Sequence, residues 1–174
     1  MPVRLRRGTV GAVLERHPEL VRLEVDGVPA VAYPRLTGPV EEGDEVLVNV
    51  QARELGLGSG GFDVVAANLT RGLELDAADG AHVMTLPYTP LQAAARVAEE
   101  EHEAPASLDG LPVVCCALHS QVAPVCAALA GRRVVYVQVA GGALPVSLSD
   151  AVRALRARGL LTTAVAAAPC CDGD

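Results

Sequence analysis

Short apolar runs separated by turn-forming residues fill the first 70 residues of the chain. The run at 21–25 alternates apolar and polar positions, which is typical of a strand with one buried face. Asp26-Gly27 then indicates a hairpin turn before a second apolar run at 28–33. Further strands are predicted at 10–14, 45–50 and 62–67. Five short strands at near-regular spacing predict a small β-barrel with an OB-like or SH3-like closure.

A different pattern marks the segment that follows. Residues 82–86 predict one more strand. Thr89-Pro90 resembles a helix start, with threonine as the N-cap and proline at the first helical position. We therefore expect a helix from 90 to about 102, rich in alanine and glutamate, and a linker over 104–110.

From residue 112 the pattern becomes that of an α/β domain. The continuous apolar run at 113–118 predicts a strand covered on both faces, and 133–140 and 160–168 predict two more buried strands. One helix is predicted up to residue 130, with Pro124 in its first turn, and another over 148–158, with Gly159 as its C-terminal cap. The order β-α-β-α-β predicts parallel strands joined by right-handed crossovers.

Together these elements predict a mixed α/β fold in three parts. They are a small β-barrel over 1–75, a connector with one helix over 76–110 and an incomplete, Rossmann-like, partly three-layered α/β domain over 111–174. Because three strands and two helices make only half of a usual doubly wound domain, sheet surface and a sheet edge stay open unless a partner or a missing segment covers them. We interpret the chain as a truncated form of a longer protein, the alternative being a small complete domain that dimerises.

The amino-acid composition excludes or disfavours several classes of function. All 14 basic residues are arginine, an actinobacterial-type bias, so Schiff-base and P-loop lysines are excluded. The net charge of −7 disfavours a nucleic-acid partner. Without an apolar stretch of roughly 18 residues, a signal peptide or a disulfide framework among its five cysteines, the chain is expected to be cytoplasmic and without a membrane partner.

Several strings in the chain resemble one bacterial family. They are Leu55-Gly56-Leu57-Gly58-Ser59-Gly60-Gly61, Leu118-His119-Ser120-Gln121 and Gly141-Gly142-Ala143-Leu144-Pro145, together with 33–40, 82–84, 88–92 and 149–150. Together they resemble domain-of-unknown-function family 3866, and the resemblance covers the amino-terminal half of its longer members. Thr85 and Pro87 depart from it, standing where basic residues are expected. The resemblance implies no reaction, substrate or catalytic residue.

The glycine-rich string at 56–61 formally matches G-x-G-x-x-G. A dinucleotide site needs a strand before this motif and a helix after it, whereas a strand is predicted to follow here. A loop or bulge with positive φ is therefore favoured. The functional alternative is an anion-binding loop formed by the N–H groups of Gly58, Ser59, Gly60 and Gly61.

The cysteines do not predict a metal site. Cys115 and Cys116 are adjacent on a predicted strand, so their side chains point to opposite faces. With His119 and Cys126 they match no common zinc spacing. We interpret them as buried free cysteines.

A candidate ligand site follows from the predicted topology, because ligands of open α/β sheets bind beyond the carboxyl ends of the strands. His119, Ser120 and Gln121 follow the first predicted strand, Gly141 and Gly142 the second, and Asp172 the third. There His119 would act as acid, base or ligand, and the helix start at Ser120 would receive an anion. The structural alternative makes Ser120 an N-cap, the stretch 147–150 a capping-box variant and the glycines turn residues.

Two functional hypotheses remain, and neither assigns an enzyme activity or a cofactor. The first is binding of a small-molecule or nucleotide-like ligand in a concave pocket faced by His119. The second is a protein-interaction module without catalytic activity, including a homo-oligomer, which predicts an exposed apolar patch on the sheet. A non-functional truncated chain is a further alternative.

Overall fold

The structure, a computed structural model, describes residues 3–57, 60–71, 79–90, 92–97, 100, 102–103, 105–139 and 144–167. The chain forms two compact units, one over residues 1–75 and the other over residues 76–174. Among the described helices, none has the length and apolar character needed to cross a membrane.

The first unit is a closed five-stranded barrel. Its strands are β1 (Leu5–Arg16), β2 (Val21–Val25), β3 (Val28–Ala32), β4 (Glu45–Asn49) and β5 (Asp63–Asn68), with one-turn helices α1 (Pro34–Thr37) and α2 (Gln51–Glu54) between them. The order around the barrel is β1-β2-β3-β5-β4, and only the β3–β5 pair is parallel. This is the order of an OB-like barrel. The prediction of a mixed α/β fold with a small β-barrel is confirmed.

Valine fills the barrel interior because the strand pleat turns alternate side chains inward. On β2 the pattern is strict, with Val21, Leu23 and Val25 buried and the residues between them half-buried. The remaining interior side chains are also small and apolar: Val10, Ala30, Ala32, Val40, Val46, Val48, Val50 and Val65. Such residues fill a five-stranded barrel without leaving a channel.

Two carboxylates, Asp44 and Asp63, are buried in the barrel and have polar partners. Asp44 accepts hydrogen bonds from Arg71 Nε at 2.7 Å, Asn68 Nδ2 at 2.8 Å and the Glu41 N–H at 2.8 Å. Burial alone would raise the pKa of Asp44, but these hydrogen bonds hold it below its ordinary value. Asp63 is held side-on by Arg53, with Nε–Oδ1 at 2.8 Å and Nη2–Oδ2 at 3.1 Å.

A small hairpin opens the second unit, and it corrects one prediction. Strands β6 (Val83–Thr85) and β7 (Ala93–Ala95) pair antiparallel. β6 agrees with the predicted strand, whereas the helix expected from 90 to 102 is wrong at β7. The Thr89 hydroxyl donates back to the Leu86 carbonyl at 2.8 Å instead of capping a helix. Alanine propensity is a weak preference, and here strand pairing overrides it.

The α/β part of this unit contains α3 (Val122–Ala128), β8 (Val135–Val139), α4 (Asp150–Ala157) and β9 (Thr163–Ala167). β8 and β9 pair in parallel, as predicted. Both helices pack on one face of this pair through a cluster of Val122, Cys126, Val146, Val152, Leu155, Leu161 and Ala164, with Tyr136 and Ala166 at its border. The described residues of the sheet therefore have one helix layer.

The ends of these helices follow their sequence signals. Pro124 lies in the first turn of α3, where its missing N–H breaks no intrahelical hydrogen bond. The Ser149 hydroxyl caps α4 by accepting from the Val152 N–H at 3.1 Å. Gly159, with φ of 67°, ends α4, and its N–H bonds the Arg156 carbonyl at 2.9 Å.

The third predicted parallel strand is absent from the described residues. Residues 111–118 form no strand, and every one of them is exposed. An apolar run identifies a buried strand only if both faces are covered, and the described helices cover one face of this sheet. For the same reason β8 is buried on one side only, which corrects the prediction of a fully buried strand.

Candidate functional site

His119 connects the turn before α3 with β8 and the start of α4. It opens a single 3₁₀ turn, His119–Gln121, directly before α3. Its Nδ1 lies 3.1 Å from the Tyr136 hydroxyl, and its Nε2 lies 2.7 Å from the Ser149 hydroxyl. The rings of His119 and Tyr136 meet edge to face, with centroids 5.9 Å apart. We call these three residues the His119 cluster.

The His119 cluster satisfies its own hydrogen bonds. Ser149 Oγ accepts from the α4 backbone and keeps its own proton to donate to Nε2, in which case Nδ1–H donates to Tyr136. The opposite tautomer donates from Nε2 to Ser149 and accepts from Tyr136. Ser149 is 1% exposed, so a substrate cannot reach its hydroxyl. The arrangement resembles a serine–histidine pair in distance, but its serine is a helix cap.

Burial sets the ionisation of the side chains around the cluster. Burial, and to a smaller extent the neighbouring Cys116 thiol, raises the pKa of Tyr136 and also that of Cys126. Both therefore stay neutral near pH 7. Cys126 is buried as predicted, whereas Cys115 and Cys116 are exposed, which corrects their assignment as buried cysteines. No cluster of three or more metal-ligating His, Cys, Asp or Glu side chains occurs in the described part of the chain.

The predicted strand-end site is only partly described. His119 lies beside the start of α4, Gln121 uses its side-chain oxygen to accept from the Leu118 N–H at 3.0 Å, and Ser120 is exposed. Ser120 is not the N-cap of α3, a position held by Gln121. Gly141, Gly142 and Asp172 lie outside the described residues.

Sequence reasoning missed Tyr136 and Gln138. Both point to the helix-covered face of β8, and the Gln138 amide donates to the Leu144 carbonyl. A tyrosine and a glutamine two positions apart in an otherwise valine-rich strand were the available signal. Polar groups on a covered face need partners, which here are His119 and a loop carbonyl.

The glycine-rich string lies between α2 and β5, the reverse of the strand–loop–helix order that a dinucleotide site requires. Gly60 and Gly61 have φ of 74° and 82°, as the loop interpretation predicts. Gly58 and Ser59 lie outside the described residues, so the anion-binding alternative stays a prediction.

Two surface concavities are lined by residues that do not belong to the His119 cluster. One of ≈ 520 Å³ borders β1 of the barrel and is lined by 13–16 with Glu41 and Glu42. Its acidic groups are engaged, since Glu41 pairs with Arg16 and Glu42 accepts from the Val13 N–H. The other, of ≈ 280 Å³, lies beside the β6–β7 hairpin and includes His82 and Glu100.

The face of the β8–β9 sheet opposite the helices is apolar and exposed. Val135, Val137 and Val139 are 52%, 53% and 68% exposed. Thr163 and Val165 lie beside them on β9 and are half-buried. We call these five residues the valine face. It carries no charge, although parallel sheets are normally covered on both sides.

Fold and surfaces together define a two-unit protein, an OB-like barrel followed by an α/β unit whose described sheet carries helices on one side. The family model described as "Protein of unknown function (DUF3866)" matches residues 29–174. The chain belongs to this family, as the sequence motifs predicted. No curated protein and no solved structure matches it.

Proposed function

We propose that the α/β unit is a protein-interaction module that associates with a second copy of the chain through the valine face. The single observation that carries this proposal is the exposure of Val135, Val137 and Val139, each more than half accessible on the uncovered side of a parallel sheet. Exposed apolar surface of this kind marks association sites in soluble proteins.

A second copy suits this surface for two physical reasons. The valine face has no charged group, so two identical faces meet without repulsion between like charges. Sheet faces also pack readily on one another, about 10 Å apart, with their side chains interdigitated. A two-fold arrangement buries the same valines of both copies and closes without further copies.

Sedimentation velocity of the full chain over a wide concentration range tests the proposal. Burying the exposed half of Val137 in both copies stabilises by about 1.5 kcal/mol in total. A carboxylate in the same place would also lose its hydration without a partner, so Val137→Glu should weaken association by at least about a hundredfold. Leu14→Glu is the matched control, since Leu14 is 58% exposed on barrel strand β1. A wild-type chain that stays monomeric throughout, or equal loss in both variants, contradicts the proposal.

Binding of a small-molecule or nucleotide-like ligand is the second candidate function. It is favoured by one observation, the position of the half-buried His119 beside the capped start of α4. Both ring nitrogens of His119 already have hydrogen-bond partners. The His119 cluster therefore supports ligand binding less strongly than the valine face supports association. Titration with adenosine monophosphate should shift the ring resonances of His119 and leave exposed His102 unchanged. Equal or absent shifts would contradict it.

A further inference from the structure

His82 lies at the open end of the β6–β7 hairpin. It directly precedes β6, and its backbone N–H bonds the Ala95 carbonyl at 3.2 Å. Its ring reaches two oxygens: Nδ1 lies 3.0 Å from the Gly80 carbonyl, and Nε2 lies 3.0 Å from Oε2 of Glu100. Glu100 follows β7, and its own N–H bonds the Val97 carbonyl at 3.1 Å. The ring therefore joins the segment before β6 to the segment after β7.

Both ring partners of His82 are groups that only accept hydrogen bonds. A carbonyl oxygen has no proton to donate, and neither has the carboxylate of a glutamate near pH 7. A neutral imidazole carries a single N–H and serves one of them at a time, whereas an imidazolium donates to both. His119 is the contrast within this chain, because its partners Tyr136 and Ser149 are hydroxyls that donate or accept and so suit a neutral ring. The paired contacts of His82 therefore require its protonated form.

The β6–β7 hairpin is short. Its two strands have three residue pairs, and no third strand joins them among the residues that the structure describes. A two-stranded hairpin is marginally stable in water. The side chains of His82 and Glu100 are 56% and 58% exposed, so their contact is modest and is screened by salt. In a marginally stable hairpin, a modest contact at the open end is enough to change the closed fraction.

His82 is the group whose charge changes in this surrounding. The concavity beside the hairpin is also lined by Asp79 and Arg96, which carry opposite charges, and by Glu100. Of these residue types, only histidine changes its charge between about pH 5 and about pH 8. The Gly80 carbonyl, and with it the Glu100 carboxylate, raises the pKa of His82 above 6.5, so the change of charge takes place above that pH.

We propose that His82, Gly80 and Glu100 form a pH-sensitive clasp on the β6–β7 hairpin. With the ring protonated, both contacts are made and the open end of the hairpin is closed. Loss of the proton leaves one N–H for two acceptors, so one contact breaks and the hairpin opens more often as the pH rises. The clasp lies within the hairpin, and its action does not depend on the valine face.

The test is an NMR titration of the full ¹⁵N-labelled chain from about pH 5.5 to about pH 8.5 at constant ionic strength. The ring ¹⁵N shifts of His82 report its protonation, and backbone NOEs between the paired residues Val83 and Ala95 report closure. The ratio of closed to open hairpin should fall by about two- to fivefold, the effect of one exposed ion pair, with the midpoint of the ring titration. NOEs that stay constant while the ring loses its proton, or that change with a different midpoint, would overturn the proposal.

Two variants separate the clasp from a general effect of pH. The amide of Glu100→Gln donates as well as accepts, so a neutral His82 ring satisfies both partners and the hairpin should stay closed at high pH. His102→Gln is the matched control, because it removes an exposed histidine two residues further along the chain and should leave the pH dependence as in the wild type. The same pH dependence in Glu100→Gln and the wild type, or its loss in His102→Gln, would refute the clasp.

Discussion

Replacing Ser149 by alanine tests whether the hydroxyl of Ser149 stabilises the α/β unit through α4 and His119. The substitution removes two hydrogen bonds of one buried hydroxyl, the cap on the Val152 N–H at 3.1 Å and the contact with His119 Nε2 at 2.7 Å. A lost N-cap costs about 1 kcal/mol, and a lost buried hydrogen bond costs about the same. The α/β unit should therefore lose about 2 kcal/mol of stability.

Amide hydrogen exchange is the suitable assay because it follows the α/β unit separately from the barrel. A loss of about 2 kcal/mol corresponds to about 30-fold faster exchange of protected amides in α4 and β9. Ser147→Ala is the matched control two residues away, since the Ser147 hydroxyl is buried without a hydrogen-bond partner in the described residues. Its loss should be neutral or slightly stabilising. Equal exchange rates in the two variants would refute the proposed role of Ser149.

Further predictions concern the barrel and the hairpin. In Gly8→Ala the new Cβ would lie 2.5 Å from a Val25 methyl, so the free energy of unfolding should fall by about 1–3 kcal/mol. Gly11→Ala is the control, since its Cβ would meet no neighbouring atom within 4 Å and should be neutral or stabilising. Urea denaturation measures both. Because the pKa of Asp44 is lowered, its stabilising effect is present above its ordinary value of 3.8 and is lost as pH falls through the folded value. Asp44→Asn should cost about 2 kcal/mol at pH 7 and flatten this acid limb, and an unchanged acid limb would contradict the assignment. The Gly80 carbonyl and the Glu100 carboxylate raise the pKa of His82 above 6.5, so its contribution is complete below pH 6.5 and is lost as pH rises through the folded value. In an NMR titration Glu100→Gln should lower the pKa of His82, and an unchanged midpoint would exclude the pair.

The barrel was predictable because its strands bury one face only. On β2 the alternation of apolar and polar positions reports both the strand and its orientation. The Asp26-Gly27 turn fixes the hairpin, with φ of 50° and 74° at its two residues. The closure was left open, because pairing between distant strands leaves no local signal.

The α/β unit was predictable only where local signals exist. The Ser149 cap and Gly159 placed α4, whereas α3 was placed by Pro124 in its first turn and not by the expected Ser120 cap. The run at 113–118 carried no periodicity, and composition alone cannot distinguish a buried strand from an exposed apolar segment. The surroundings of His119 were not predictable for the same reason. His119 was recognised, but its partners Tyr136 and Ser149 lie 17 and 30 residues further along the chain.

Intermolecular contact between valine side chains tests the central claim most directly. A sample mixed from ¹³C-methyl-labelled and unlabelled chains should give intermolecular NOEs from the methyl groups of Val135, Val137 and Val139. The barrel methyls of Val46 and Val48, which are fully buried within one chain, should give none. Intermolecular NOEs confined to other surfaces, or none at a concentration where the valine methyls remain accessible to a soluble paramagnetic agent, would contradict association through the valine face.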